Sequence, residues 1–201
     1  MTESKFTEAG FNARFNKTES TKYGIVLGVI SLVLGILVLY ISKAVQSFWV
    51  LTALSFGINT ILYMVIALFF TYSLRKRNGG VWNFSIALKS TFLMLLISTV
   101  IATLSTMLYV HVINPGIQED VLRNTINLTI EQMENSGVEN EVIDSRVAAL
   151  EEQMNAIGHI SFKDVFRGLM ISILMQFIFS LILAAITRNE KLLQTNNTTN
   201  N

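Results

Sequence analysis

Apolar residues gather along this chain in four long runs: Tyr23 to Ile41, Trp49 to Leu74, Ile86 to Val110 and Val165 to Ile186. Each reaches the roughly 20 residues that cross about 30 Å of hydrocarbon at ~1.5 Å per residue. The runs predict four membrane-spanning helices over about 23–41, 49–74, 86–110 and 165–186. Between the third and the fourth the pattern changes. Ile143, Val147, Leu150, Met154 and Ile157 step by four and three, the spacing of a coiled-coil seam. Leu122, Ile126, Ile130 and Met133 do the same less regularly, and Ser136-Gly137 separates the two stretches as a helix terminator. Asn114-Pro115 stops the third span. The expected product is a helical hairpin over 116–158, outside the membrane. The fold class is therefore all-α: a polytopic bundle of four transmembrane helices, with that hairpin between helices 3 and 4. A polar tail (1–22) precedes the membrane domain (23–191), and an Asn- and Thr-rich disordered tail (192–201) follows it. The first run is longer than the apolar core of a cleaved signal and follows 22 mostly polar residues, so it reads as a span.

Composition agrees with the pattern. Of the 201 residues 51% are hydrophobic and 14% charged, where a soluble domain carries about 25% charge. A net charge of +1 gives no basic footprint for nucleic acid. The absence of cysteine excludes disulfides, thiolate metal sites and a cysteine nucleophile.

Charge sets the expected orientation. Lys5, Arg14, Lys17, Lys22, Arg75, Lys76, Arg77, Arg188 and Lys191 flank one side of the spans, against Lys43, Arg123, Arg146 and Lys163 on the other. The side richer in Lys and Arg is the cytoplasmic one. Both termini are then cytoplasmic and the hairpin is extracytoplasmic. The connection from His111 to Asp164 holds ten acidic and three basic residues, a net charge of −7. Two short seams bury too little to stand alone, so this segment is the expected meeting point with a partner, through Ile143, Val147, Leu150, Met154 and Ile157.

Within the spans the residues that bear chemistry are few. Gly24, Gly28, Ser31 and Gly35 share one face of the first helix, as do Gly168, Ser172, Gln176, Ser180 and Ala184 on the fourth. Small residues four apart let helix backbones approach in lipid, so helix packing is preferred to a lined pathway that uses Asn59 and Gln176. The third helix carries Ser90, Thr91, Ser98, Thr99, Thr103, Ser105 and Thr106 on more than one face, which again favours packing over a pore. No ionisable residue lies in the middle of a span, which argues against proton-coupled transport. His111 and His159 end and precede spans at the same interface near Asp164. They invite a metal reading, but polar helix ends are the simpler account and no metal is assigned. There is no phosphate loop, His-Glu-x-x-His or Gly-x-Ser-x-Gly, so neither catalytic residues nor cofactors are expected. Ser161 to Asp164 has the form of a capping box ahead of the fourth span, and Asn83-Phe84-Ser85 stands similarly before the third.

Several motifs in order resemble a known family. Lys22-Tyr23-Gly24 opens the first span and Ile113-Asn114-Pro115 follows the third. An acidic hairpin bearing Gln and Met comes next, and Ile160 to Phe166 leads into the last span. Over about Thr21 to Lys191 the chain resembles the bacterial four-span membrane family known as domain of unknown function 4199. The resemblance implies a multi-pass protein of the bacterial inner membrane and carries over no activity and no catalytic residue. The function expected is non-enzymatic: an interaction or envelope-organising protein that meets the lipid bilayer, and either a second copy or an envelope protein, through its acidic hairpin. The alternative is a small channel or transporter component.

Overall fold

The computed structural model describes residues 15–78, 80, 82–156 and 162–189, leaving aside the side chains of 153, 156 and 162–165. Helix α1 (Lys17–Ala44) is followed by α2 (Phe48–Phe56), which runs through a π-helical stretch (Gly57–Leu62) into α3 (Tyr63–Arg77). Helix α4 (Phe84–Leu108) ends in a second π-helical stretch (Tyr109–Ile113); α5 (Ile117–Asn135), α6 (Asn140–Ala156) and α7 (Phe162–Thr187) complete the chain. Four of these stretches, Lys17–Ala44, Phe48–Arg77, Phe84–Ile113 and Phe166–Thr187, are long and apolar enough to cross a membrane. Among the described residues there is no strand, only an isolated bridge between Trp82 and Asn189. The long helices leave large apolar side chains uncovered, such as Val33, Phe69, Leu104 and Leu174. A water-soluble surface rarely gathers such side chains into large patches, whereas hydrocarbon accepts them.

Local chemistry fixes the ends of the helices. Helix α1 begins at Lys17, ahead of the first apolar run, because the Asn16 side-chain oxygen accepts the Glu19 backbone N–H at 3.1 Å. Asn83 does the same for α4, accepting from the Ile86 N–H at 2.9 Å. Helix α5 closes with Gly137 at φ +68°. The Gly137 N–H donates to the Glu134 carbonyl at 3.0 Å and the Val138 N–H to the Met133 carbonyl at 3.1 Å. That pair of bonds needs the left-handed residue that glycine supplies without strain. The Ser161 box lies outside the described residues.

The chain divides into two compact units. The first comprises Met1–Val29, Met64–Ile101 and Met170–Asn201. Its core includes Leu27, Leu74, Trp82, Met94, Leu95 and Leu183, all nearly or fully buried. Here α1 packs on α4 at contact distance. A Cβ on Gly24 would lie 2.8 Å from the Met94 carbonyl oxygen and 2.9 Å from the Ile97 Cβ. One on Gly28 would meet the Ile101 Cβ at 2.9 Å. The second unit comprises Ile30–Tyr63 and Ala102–Leu169, with α5 and α6 packed against each other. Ile117, Ile126 and Leu128 of α5 are buried, as are Ile143 and Leu150 of α6.

That last pair belongs to the seam expected to meet a partner. Ile143 and Leu150 are 6% and 7% exposed within the single chain, and Val147 and Met154 are half-buried. Two amphipathic helices joined by a tight turn cover their own apolar faces first, so the seam is turned inward. Ile157 lies outside the described residues.

Candidate functional site

In the second unit one face of α5 is organised around the end of α1. The last carbonyls of a helix have no partner within it. Asn124 meets that need, its side-chain amide donating to the Ser42 and Val45 carbonyls at 2.8 Å each. One turn earlier on the same face Asp120 pairs with Lys43 at 2.6 Å. One turn later Leu128 is buried. Farther along, Glu131, Gln132 and Asn135 face the connection Gln46-Ser47-Phe48 across an open cleft of about 290 Å³. Ser47 precedes α2 with extended backbone and makes no side-chain cap, so its hydroxyl is not used by the helix it introduces. The Gln132 amide donates to the Ser136 hydroxyl at 3.1 Å. Among the described residues Glu131 is the one acidic or basic side chain that lines the cleft.

Beside this face the Tyr40 and Tyr109 hydroxyls share a hydrogen bond of 2.8 Å, and the Asn114 amide donates to Tyr40 at 3.4 Å. Tyr109 lies in the π-helical stretch, where the Asn114 N–H reaches back five residues to the Tyr109 carbonyl at 2.8 Å. Over 117–156 the sequence holds nine acidic residues and two arginines, a net charge of −7. Arg123 is paired with Glu119 at 2.6 Å. Glu131, Glu134, Glu139, Glu141, Asp144, Glu151 and Glu152 are exposed and pair with no described cation.

The first unit closes its helix ends differently. Trp82 is fully buried, and its indole N–H donates to the Thr187 carbonyl at 2.9 Å. Arg75 reaches the same oxygen at 3.3 Å and lies over the Tyr72 ring. The Asn189 N–H donates to the Trp82 carbonyl at 3.1 Å. Glu19 joins Lys22 and Arg77 at 3.1 Å each, and Arg77 also covers the Tyr23 ring.

Residues 22–189 match the family described as Protein of unknown function (DUF4199). The chain belongs to this family. No curated protein and no solved structure matches it. The polar face of α5, the cleft and the Trp82 latch all fall inside the matched residues. Of the DUF4199 motifs noted in the sequence, Lys22 and Tyr23 enter the Glu19 and Arg77 cluster, Gly24 touches α4, and Asn114 bonds Tyr40.

Of the other residues singled out in the sequence, Gly24 and Gly28 sit at the close helix contact. Gly35 has only the Thr106 hydroxyl near it, at 3.9 Å, and nothing lies within 4 Å of Gly168. Ser172 is half-buried, and Ser180 is fully buried and donates to its own helix at Phe177. The Gln176 side-chain oxygen is buried without a hydrogen-bond partner, as are the hydroxyls of Ser90, Thr91 and Thr99. Asn59 is exposed. His111 is exposed, with its ring nitrogen 3.0 Å from the Met107 carbonyl. His159 and the Asp164 side chain lie outside the described residues, and among those described no three His, Asp or Glu residues group as metal ligands.

The sequence reading missed Asn124, Trp82 and the tyrosine pair. A signal for Asn124 existed: with Ile117, Asp120 and Leu128 it falls on one helical face, where a buried amide needs partners. Trp82 is a lone aromatic in a basic and glycine-rich connection, and no periodicity marks it.

Proposed function

We propose that the chain is a non-enzymatic, multi-pass protein of a bacterial inner membrane that engages another envelope component through an acidic α5–α6 hairpin outside the membrane. The observation that carries the reading is the contrast within α5 and α6. Ile117, Ile126, Leu128, Ile143 and Leu150 are covered within the chain, while seven carboxylates stay exposed without described partners. Carboxylates held on a folded helical pair create a local negative potential that recruits positive charge. Like charge across an interface is costly, so a basic partner suits this surface better than a second copy meeting it face to face. The Lys and Arg asymmetry supports placing both termini in the cytoplasm and the hairpin on the opposite side.

Two measurements test this. Single cysteines at Ser136 and at Asn78, labelled in intact cells with an impermeant maleimide, give the orientation; reaction at Ser136 alone is expected, and reaction at Asn78 alone reverses it. A photo-crosslinker at exposed Asp144 should yield a discrete adduct that disappears when Glu151 and Glu152 become Lys. An adduct indifferent to that charge reversal removes the acidic surface from the function.

A transport role has one observation in its favour. Gln176, Ser90, Thr91 and Thr99 hold unpaired buried oxygens in the first unit. Solute flux in proteoliposomes that falls in Gln176→Leu is the result that reading requires.

A further inference from the structure

The cleft between α5 and the α1–α2 connection has a definite construction. Its α5 side, Leu128, Glu131, Gln132 and Asn135, continues the same helical face that Asp120 and Asn124 fasten to the end of α1. The face is tied down at one end by two amide bonds and an ion pair, and stands open at the other. One end of the cleft is thus set by fixed contacts. At about 290 Å³ the cleft is close to the ~300 Å³ at which small-ligand sites begin.

Its lining selects a ligand by charge. Glu131 supplies a carboxylate, and among the described residues no Lys, Arg or His lines the cleft. Gln46 and Asn135 add amide oxygens, Ser47 adds a hydroxyl free of capping duty, and Phe48 adds a ring. A carboxylate, neutral acceptors and an aromatic face suit an alkylammonium ion, through charge-assisted hydrogen bonds and cation–π attraction. An anion could accept from the amides and the hydroxyl but is repelled by Glu131 and by the exposed carboxylates of α5 and α6. A neutral sugar draws nothing from that field, whereas a cation is concentrated by it.

We propose that this cleft binds a primary ammonium group on a small organic molecule, with Glu131 as its counter-ion. Two sources share that chemistry: a free amine from solution, and the headgroup of an aminophospholipid. The lipid is within reach because Phe48 is the first residue of a stretch long and apolar enough to cross a membrane. The site does not depend on the macromolecular partner proposed above; only the lipid source assumes the membrane reading.

Because the chain lacks cysteine, Ser47→Cys places a single, nearly isosteric reporter in the cleft. Its maleimide labelling rate is measured on the full chain in phosphatidylcholine nanodiscs, in the same discs with ethanolamine at matched ionic strength, and in discs containing phosphatidylethanolamine. Labelling should slow at least fivefold, and saturably, in one of the two amine conditions. Slowing by ethanolamine identifies a free amine, and slowing only by the phospholipid identifies the headgroup. Adding Glu131→Gln should restore the unprotected rate, whereas Glu134→Gln, on an exposed residue outside the lining, should leave protection intact. Absence of slowing in both conditions overturns the proposal. So does protection that survives Glu131→Gln, or protection lost equally in Glu134→Gln, which would reduce it to diffuse attraction by the acidic surface.

Discussion

Both units face the problem of a helix whose last carbonyls lack partners, and they solve it with side chains of opposite character. In the first, the end of α7 is held by an indole N–H from fully buried Trp82, with Arg75 on the same oxygen. In the second, the end of α1 is held by the half-buried amide of Asn124, with an exposed ion pair beside it. The indole joins a hydrogen bond to a large apolar body, so satisfying the carbonyl and filling the core are one act. The amide satisfies two carbonyls and fills little space, and the same helix face goes on into an open cleft. A helix end can be secured either by closing a site or by framing one.

This contrast is sharpest where substitutions are largest. Trp82→Ala removes a fully buried ring and leaves the Thr187 carbonyl only the longer bond from Arg75, and should cost about 3–5 kcal/mol in reversible unfolding from mixed micelles. A loss below 1 kcal/mol would mean that the indole is not the lock it looks. Next comes Gly28→Ala, whose new Cβ would sit 2.9 Å from the Ile101 Cβ; overpacking of this kind costs about 1–3 kcal/mol. Gly168→Ala, with nothing within 4 Å, should be neutral or slightly stabilising by the same measurement. Asn124→Ala should lose about 1–2 kcal/mol and loosen the cleft, read as faster hydrogen exchange at the Val45, Gln46 and Ser47 amides. Exchange unchanged there would separate the cleft from the Asn124 bonds. Smallest is Lys43→Ala. Both partners of its ion pair are about half exposed, so a loss of about 0–1 kcal/mol that vanishes at high salt is expected.

Sequence legibility divides along the same line. A run of about twenty mostly apolar residues leaves the backbone few alternatives in lipid, and for that reason the four long helices were readable from the pattern alone. Ile143 and Leu150 were readable as a helical seam, but periodicity says only that a face is apolar. Their burial within the chain came from the Gly137 turn, which returns α6 onto α5. Asp placed at Leu150 would therefore test folding, whereas the charge reversals at exposed Glu151 and Glu152 test the surface. Lys43 and Asp120 were visible only as charges in a tally, and Asn124 only as a polar residue on one helical face. Their meaning lies in contacts about eighty positions apart in the chain, such as that from Asn124 to Ser42, which no local pattern encodes. Gly24 and Gly28 were legible as small residues four apart, and so were Gly35 and Gly168; only packing tells the tight pair from the loose one.

The two π-helical stretches, Gly57–Leu62 and Tyr109–Ile113, bear on how this chain can change over evolutionary time. A π turn carries one residue more than an α turn. Deleting a residue elsewhere in a long helix rotates everything beyond it by about 100° and turns lipid-facing positions inward. Deleting one inside Gly57–Leu62 can be absorbed by reversion to ordinary α-helix, with the faces of α2 and α3 kept in register. That stretch is a place where a long helix can lose a residue and still present the same sides to its neighbours, whereas the second stretch ends its helix. In the second stretch the cost falls on the reach of Tyr109 to Tyr40.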